Sequence, residues 1–281
     1  MKIEKAARTG FCFGVRRAVS LLERVAQERG GVETLGEVVH NTQVLRKLAG
    51  SGVSIARRIP DIRGEVVVTS SHGVTPEVEE QIRARRIGII STTCPFVRRA
   101  QLAARRLADA DFRVVVFGDA DHPEVKGILG WARGTGIATR DVKAVAALDP
   151  MPRRIGVLSQ TTQIPAQFVE FAREIIAAAL KKDSEIRIID TICHDIRERQ
   201  ETAQELAERV DLMLVIGGHN SANTRHLAEL CARVTETHHV ASAEEIRPRW
   251  LRGKKSVGVT GGASTPEDTV SEVLEQLTGM S

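Results

Sequence analysis

The stretch Cys12-Phe-Gly-Val-Arg-Arg-Ala18 decides how this sequence of 281 residues is organised, because two variants of it occur later in the chain. The variants are Cys94-Pro-Phe-Val-Arg-Arg-Ala100 and Cys193-His-Asp-Ile-Arg-Glu-Arg199. Each reads cysteine, two residues, Val or Ile, and then arginine. Self-similarity of this kind is typical of a repeated structural unit. The sequence therefore predicts three related thirds, each containing one copy of this phrase.

Polar residues recur at matching points behind the three cysteines. A polar residue in a turn segment lies 28 positions after each cysteine, and these residues are His40, His122 and Ser221. A second polar segment follows in each third. These segments are SSHG with His72, SQTTQ with Thr161, and TGGAST with Ser264. One unit, a cysteine followed by two polar strand ends, thus occurs three times.

The segments between these points alternate between β-branched runs and amphipathic stretches, which is typical of an α/β protein with parallel sheets. Apolar residues at helical spacing predict a helix over 15–26. Most of the predicted strands end in Gly, Ser, Thr, Asp or His, and open α/β sheets bind ligands at those carboxyl ends. The predicted strands are 66–70, 87–91, 113–117, 155–159, 186–190, 212–216 and 256–260.

We therefore expect three similar small α/β units with mainly parallel sheets, arranged around a pseudo-threefold axis and a central cavity. The segment 149–152, Asp-Pro-Met-Pro, is expected to be a turn inside the second unit. The first unit spans 1–93 and carries Cys12, His40 and His72. The second spans 94–190 and carries Cys94, His122, Glu124 and Thr161. The third spans 191–281 and carries Cys193, Ser221, Asn223 and Ser264.

Composition narrows the class of protein. The net charge is +4 and the basic residues are spread along the chain, which suits an anionic small molecule at least as well as nucleic acid. Only 7 Phe, 2 Trp and no Tyr are present, so there is little for base stacking. The start, MKIEKAARTGFCFG, lacks the apolar stretch of a signal peptide, and the apolar runs elsewhere are too short to span a bilayer. We expect a cytoplasmic protein.

The 4 cysteines are too few and too widely spaced for a disulfide framework. Cys231 lies on the apolar face of a predicted helix over 222–234 and is expected to be a buried hydrophobic residue. The other three stand just before predicted helices, where backbone N–H groups and the helix dipole favour a thiolate.

Thiolates at these three positions are suited to a metal. Structural zinc sites usually show close cysteine pairs, whereas iron–sulfur clusters accept widely separated thiolates. Composition alone leaves a cluster, another metal site and coincidence equally open. The threefold repeat favours one 4Fe-4S cluster held by Cys12, Cys94 and Cys193, which leaves one iron open to a substrate oxygen.

The polar strand ends predict an anion site. They offer many N–H and O–H donors, as a diphosphate requires, and the segment 218–224, GHNSANT, places backbone N–H groups before a helix. No GxxxxGK[ST] or strand-linked GxGxxG motif is present, so nucleotide cofactors are not indicated. Glu124 beside His122 either complements a helix dipole or supplies protons to a bound alcohol. The predicted diphosphate contacts are His40, His72, His122, Ser221, Asn223 and Ser264.

Nine short motifs, in order along nearly the whole chain, resemble the 4-hydroxy-3-methylbut-2-enyl diphosphate reductase family of the non-mevalonate isoprenoid pathway. They are GFCFGV, GEVVHN, SSHGV, TTCP, HPEV, SQTTQ, DTIC, NSANT and GAST. The resemblance implies the cluster and the diphosphate contacts given above, and it implies that Glu124 and Thr161 deliver protons. It also implies a two-electron reduction of an allylic alcohol to isopentenyl and dimethylallyl diphosphates, with ferredoxin or flavodoxin as the electron donor.

The chain departs from the family pattern at two places. Ala222 stands where the family often has a second serine, and His194-Asp195-Ile196 follows the third cysteine where the family often has an Ala-Thr pair. Two other classes of protein remain as alternatives. One is a cluster-containing hydro-lyase, which would need no external reductant, and the other is an iron–sulfur sensor that binds a phosphorylated metabolite without turnover.

Overall fold

Strands and helices alternate along the whole described part of the chain. The computed structural model describes residues 1–148, 152–179 and 183–280, so the predicted turn at 149–152 lies outside them except for Pro152. The strands are β1 Lys2–Lys5, β2 Val32–Leu35, β3 Val53–Ala56, β4 Val66–Thr69, β5 Gly88–Ser91, β6 Arg113–Phe117, β7 Gly136–Thr139, β8 Arg154–Ser159, β9 Glu185–Ile189, β10 Leu212–Ile216, β11 Glu236–Val240 and β12 Ser256–Gly261. The helices are α1 Phe13–Arg29, α2 Thr42–Gly50, α3 Pro76–Ala84, α4 Pro95–Asp109, α5 Pro123–Trp131, α6 Val142–Ala146, α7 Pro165–Ala179, α8 His194–Ala207, α9 Ala222–Ala232, α10 Pro248–Leu251 and α11 Glu267–Gly279.

The strands form three parallel sheets of four strands each. Their orders are β3-β2-β4-β5, β7-β6-β8-β9 and β11-β10-β12-β1. Read from the same edge, all three sheets place their strands as second, first, third and fourth. The α/β class and the three similar sheets are therefore confirmed. The pseudo-threefold axis and the central cavity stay predictions.

The third sheet is completed by β1, which pairs with β12 from Lys2 opposite Ser256 to Lys5 opposite Val259. The fourth strand of every sheet is followed by one of the repeated cysteines: β1 leads to Cys12, β5 to Cys94 and β9 to Cys193. The sequence did not predict β1, because a segment of four residues with three charged side chains is not distinctive. The division into units at 93 and 190 stays a prediction.

The described chain separates into two compact units. Unit 1 comprises Met1–Arg16, Val39–Leu48 and the residues from His194 onward, and it contains the sheet that β1 completes. Unit 2 comprises Arg17–Val38 and Ala49–Cys193, and it contains the other two sheets.

The sheet of unit 1 is buried on both faces, which is usual for parallel sheets because their crossover helices cover both sides. Leu212, Leu214 and Ile216 of β10 pack with residues of α11. The residues that alternate with them pack with α8 and α9, in a cluster that includes Cys231. Cys231 is therefore the buried hydrophobic residue that the sequence predicted.

The seven predicted strands and the helix over 15–26 are present with ends shifted by at most three residues. Four further strands, β2, β3, β7 and β11, were not predicted. The last two of these carry few fully buried side chains. Among the helices in the described part of the chain, none is both long enough and apolar enough to cross a membrane.

Candidate functional site

The three predicted ligand cysteines occupy equivalent positions in the hydrogen-bond network. The backbone N–H of each one donates to a carbonyl in the polar segment that follows the adjacent strand, the third strand of the same sheet. The bonds are Cys12 to Ala263 at 2.9 Å, Cys94 to Ser71 at 3.0 Å and Cys193 to Thr161 at 3.0 Å. Each copy of the cysteine phrase is thus attached to one copy of the polar strand end. The sequence repeat placed that strand end in a different third from the cysteine, as Ser71 is in the third before Cys94.

The sulfur atoms have surroundings suited to metal binding. In the part of the chain that the structure describes, all four cysteines are thiols and none is in a disulfide. The Val15 N–H donates to Cys12 Sγ at 3.4 Å. Cys94 precedes the first residue of α4, and burial raises the pKa of its thiol, although the N–H groups of Phe96 and Val97 act in the opposite direction. A bound metal would replace that proton, so three such thiols fit a group that requires thiolate ligands.

In unit 1, His40 and Ser264 lie side by side. Ser264 Oγ donates to the His40 carbonyl at 3.5 Å, and Asn41 Nδ2 donates to the Ser264 carbonyl at 3.0 Å. Asn41 Oδ1 also accepts the Val44 N–H at 3.1 Å in the first turn of α2. A methyl group at Gly218 would lie 3.0 Å from the His40 carbonyl oxygen, so the loop after β10 approaches the same place.

The start of α9 supplies the other unit 1 donors. Ser221 caps the helix, and its Oγ accepts the Thr224 N–H at 3.4 Å. Asn223 is only 6% exposed, and its Nδ2 has no hydrogen-bond partner among the described residues. A buried donor without an acceptor costs free energy, which an acceptor on a ligand would offset. An anion at this helix start would provide such an acceptor.

In unit 2, the rings of His72 and His122 lie edge to face with their centroids 5.4 Å apart. His122 caps α5, and its Nδ1 accepts the Glu124 N–H at 3.2 Å. Because Nδ1 is an acceptor, a neutral ring carries its proton on Nε2. The helix cap therefore fixes the tautomer of this histidine.

Glu124 is a buried acid. It is 2% exposed, its Oε1 accepts the Thr161 N–H at 2.7 Å, and its Oε2 accepts the Thr161 hydroxyl at 3.0 Å. Burial raises the pKa of Glu124 to about 7, although the two bonds from Thr161 lower it. A carboxyl group that only complemented a helix dipole would be exposed and ionised, so this geometry favours proton transfer.

Thr161 connects this acid to a cysteine, because its carbonyl accepts the Cys193 N–H. Within unit 2 the structure therefore brings Glu124, Thr161 and Cys193 into one hydrogen-bonded chain, and it brings His72 next to His122. Within unit 1 it connects Cys12, His40 and Ser264 through the loop at 263–264.

Comparisons with known proteins show the family to which the chain belongs. The sequence profile described as LytB protein matches residues 3–278. A protein of Dehalococcoides mccartyi named 4-hydroxy-3-methylbut-2-enyl diphosphate reductase is 57% identical over 281 residues, covering 100% of this chain and 99% of its own length. A protein of the same name from Geobacter metallireducens is 41% identical over 278 residues, covering 99% and 97% of the two chains.

Two solved structures are also similar. One is described as (E)-4-hydroxy-3-methyl-but-2-enyl diphosphate reductase, the terminal enzyme of the non-mevalonate pathway; it is 36% identical, with a TM-score of 0.70, over 99% of this chain and 100% of its own. A Plasmodium falciparum reductase structure, 22% identical over 99% of this chain and 88% of its own with a TM-score of 0.92, supports the fold. The chain therefore belongs to the LytB protein family, a family of iron–sulfur reductases.

Proposed function

We propose that this chain reduces 4-hydroxy-3-methylbut-2-enyl diphosphate to isopentenyl and dimethylallyl diphosphates, the last step of non-mevalonate isoprenoid biosynthesis. The relatives that it matches over their whole length carry the name of that activity. The observation that carries the proposal is the chain of bonds from Glu124 through Thr161 to Cys193. It couples an acid that is partly protonated near neutral pH to a predicted metal ligand, and binding alone would not require this.

The proposed cofactor is one 4Fe-4S cluster held by the thiolates of Cys12, Cys94 and Cys193. Two observations support this cofactor. The three cysteines are free thiols at equivalent points of the repeat. Their wide spacing in the sequence suits a cluster better than a zinc site. When bound, the cluster would supply the electrons for the reaction and a Lewis-acidic iron without a protein thiolate.

The proton chemistry falls to Glu124 and Thr161. Reductive dehydroxylation takes up two electrons and two protons, breaks one C–O bond and releases water. Glu124 carries a proton on one carboxyl oxygen and gives it to the departing hydroxyl. Thr161 serves this delivery by orienting the carboxyl group through its N–H and its hydroxyl, both of which donate to it.

The diphosphate contacts proposed are the six polar residues at the strand ends. In unit 1, Asn223 Nδ2 offers a buried donor at a helix start. In unit 2, the fixed tautomer of His122 gives a donor at Nε2. The six are His40, His72, His122, Ser221, Asn223 and Ser264.

The partners follow from the reaction. The electron donor is proposed to be ferredoxin or flavodoxin, since no flavin or nicotinamide motif occurs in the sequence. No nucleic acid or membrane partner is proposed, and the proposed location is cytoplasmic. We also propose three structural units, at 1–93, 94–190 and 191–281, because the cysteine phrase and its polar segments occur three times.

Turnover under strict anaerobiosis tests the function. Protein loaded with iron and sulfide, given reduced ferredoxin and the hydroxylated diphosphate, should form the two isoprenoid diphosphates, measured by mass spectrometry. Omitting the reductant should stop the reaction. Product formed without reductant would favour a hydro-lyase, and binding without turnover would favour a sensor.

A further inference from the structure

Arg199 is a buried arginine on α8 in unit 1 whose three bonds all go to the backbone. It is 2% exposed. Its Nη2 donates to the Gly10 carbonyl at 3.0 Å, and its Nη1 donates to the carbonyls of Gly261 at 2.8 Å and Arg8 at 3.4 Å. Its Nε has no hydrogen-bond partner in the described part of the chain.

The three carbonyls surround the Cys12 attachment. Arg8 and Gly10 belong to the segment that leads into Cys12. Gly261 ends β12, two residues before Ala263, the residue that accepts the Cys12 N–H at 2.9 Å. Arg199 thus connects the two backbone segments that meet at the hydrogen bond from Cys12 to Ala263.

A positive charge here is unfavourable, because burying a guanidinium group removes it from water and no ion pair among the described residues offsets that loss of hydration. Burial lowers the pKa of Arg199, while Asp195 and Cys12 raise it through their negative charges. Arginine nevertheless keeps its proton in proteins. The charge therefore sits within electrostatic reach of the Cys12 thiolate, and Asp195, one turn earlier on α8, opposes it.

A neutral donor could hold backbone carbonyls at a lower desolvation cost, so the charge itself requires a function. Positive charge near an iron–sulfur group favours its reduced form, because reduction adds an electron to the group. Asp195 Oδ2 is also buried with no hydrogen-bond partner among the described residues, and its negative charge acts on Arg199.

We propose that Arg199 is a positioning residue for Cys12, and that its fixed charge, balanced by Asp195, sets the reduction potential of the group bound to that cysteine. The inference rests on the proposed function, since it assumes a cluster bound to Cys12. It assigns two roles to the Arg199 side chain. The N–H donors of the guanidinium group hold the backbone before Cys12, and its positive charge raises the electron affinity of the group bound to Cys12.

Redox titration followed by electron paramagnetic resonance, on anaerobically loaded protein, tests the charge. Arg199→Gln should move the midpoint potential to more negative values, and Asp195→Asn should move it to more positive values. Arg199→Lys keeps the positive charge but loses the paired N–H donors of the guanidinium group. The midpoint potential of this variant should therefore stay nearer to that of the unchanged protein, while its cluster is lost faster in air. Arg209→Gln is the matched control, because Arg209 is an exposed arginine of the same unit.

The outcomes separate the two proposals. Unchanged protein that binds no iron and sulfide contradicts the proposed function, and this inference with it. A full cluster whose potential is the same in Arg199→Gln and Arg209→Gln overturns the inference alone. If Arg199→Gln does not fold, Asp195→Asn decides, and an unchanged or more negative potential in that variant overturns the inference.

Discussion

Glu124→Gln is the substitution that should separate chemistry from binding. Glutamine has the size of the glutamate, its carbonyl oxygen can accept the Thr161 N–H, and its amide can donate to the Thr161 hydroxyl oxygen. The variant should therefore fold, hold its cluster and bind substrate. It cannot donate a carboxylic proton, so turnover should fall by about 10²–10⁴-fold, the usual contribution of general acid catalysis.

The pH dependence of turnover follows from the protonation of the buried acid. With a pKa of about 7, roughly half of the molecules carry the proton at neutral pH, whereas an ordinary glutamate would carry almost none. The turnover number should fall as the pH rises through about 7, and Glu124→Gln should lose that dependence. The assay is anaerobic steady-state turnover at saturating substrate. It runs from about pH 6 to about pH 8.5, so that the range brackets the pKa of Glu124.

The matched control is Glu77→Gln. Glu77 also follows a proline in the first turn of a helix, but it is exposed. Its substitution should leave turnover unchanged. Near-normal turnover in Glu124→Gln with a full cluster would refute the reasoning and make Glu124 an ordinary helix-start carboxylate.

Four further outcomes follow from the same geometry. The folded pKa of Glu124 lies above its ordinary value of 4.5, so this group stabilises the fold below pH 4.5 and loses that contribution as the pH rises through about 7. Anaerobic urea unfolding of the unchanged protein and Glu124→Gln should therefore differ in pH dependence by about 3 kcal/mol, at about 1.4 kcal/mol per pKa unit. Replacing Cys12, Cys94 or Cys193 by serine should remove the cluster, measured by iron and sulfide content, whereas Cys231→Ser should keep it. Equal loss in all four variants would contradict the ligand assignment. His122→Gln should weaken substrate binding by roughly 1.5–3 kcal/mol in calorimetry with the cluster spectrum intact, and unchanged affinity would place the diphosphate elsewhere. Asn41→Ala should cost about 1 kcal/mol in thermal unfolding, because it removes the cap of α2; no loss would make the cap unimportant.

The candidate site could be predicted from the sequence because its elements are repeated. A single cysteine or histidine carries little information, but three similar phrases with polar residues at matching distances constrain one another. The same repetition indicated which cysteine to leave out, and Cys231 lies in the apolar cluster beneath α8 and α9. The motif resemblance then named the family that the comparisons confirmed.

The sequence did not predict which strands pair across long distances. The strand β1 pairs with β12 at the opposite end of the chain, and four residues of which three are charged give no local sign of that partner. Parallel pairing depends on contacts between segments that are distant in the sequence. All three sheets have the same strand order only when β1 is counted as the fourth strand of the last sheet.

The sequence by itself determined the α/β class, the three cysteine phrases and the polar strand ends, because hydrophobic periodicity and residue chemistry are local properties. Only the tertiary structure decided the electrostatics. Glu124 and Arg199 lie in segments that read as helix-start and charge-rich surface, yet both are 2% exposed. Their protonation and charge effects depend on burial and on partners brought by other parts of the chain, and no local pattern encodes either of these.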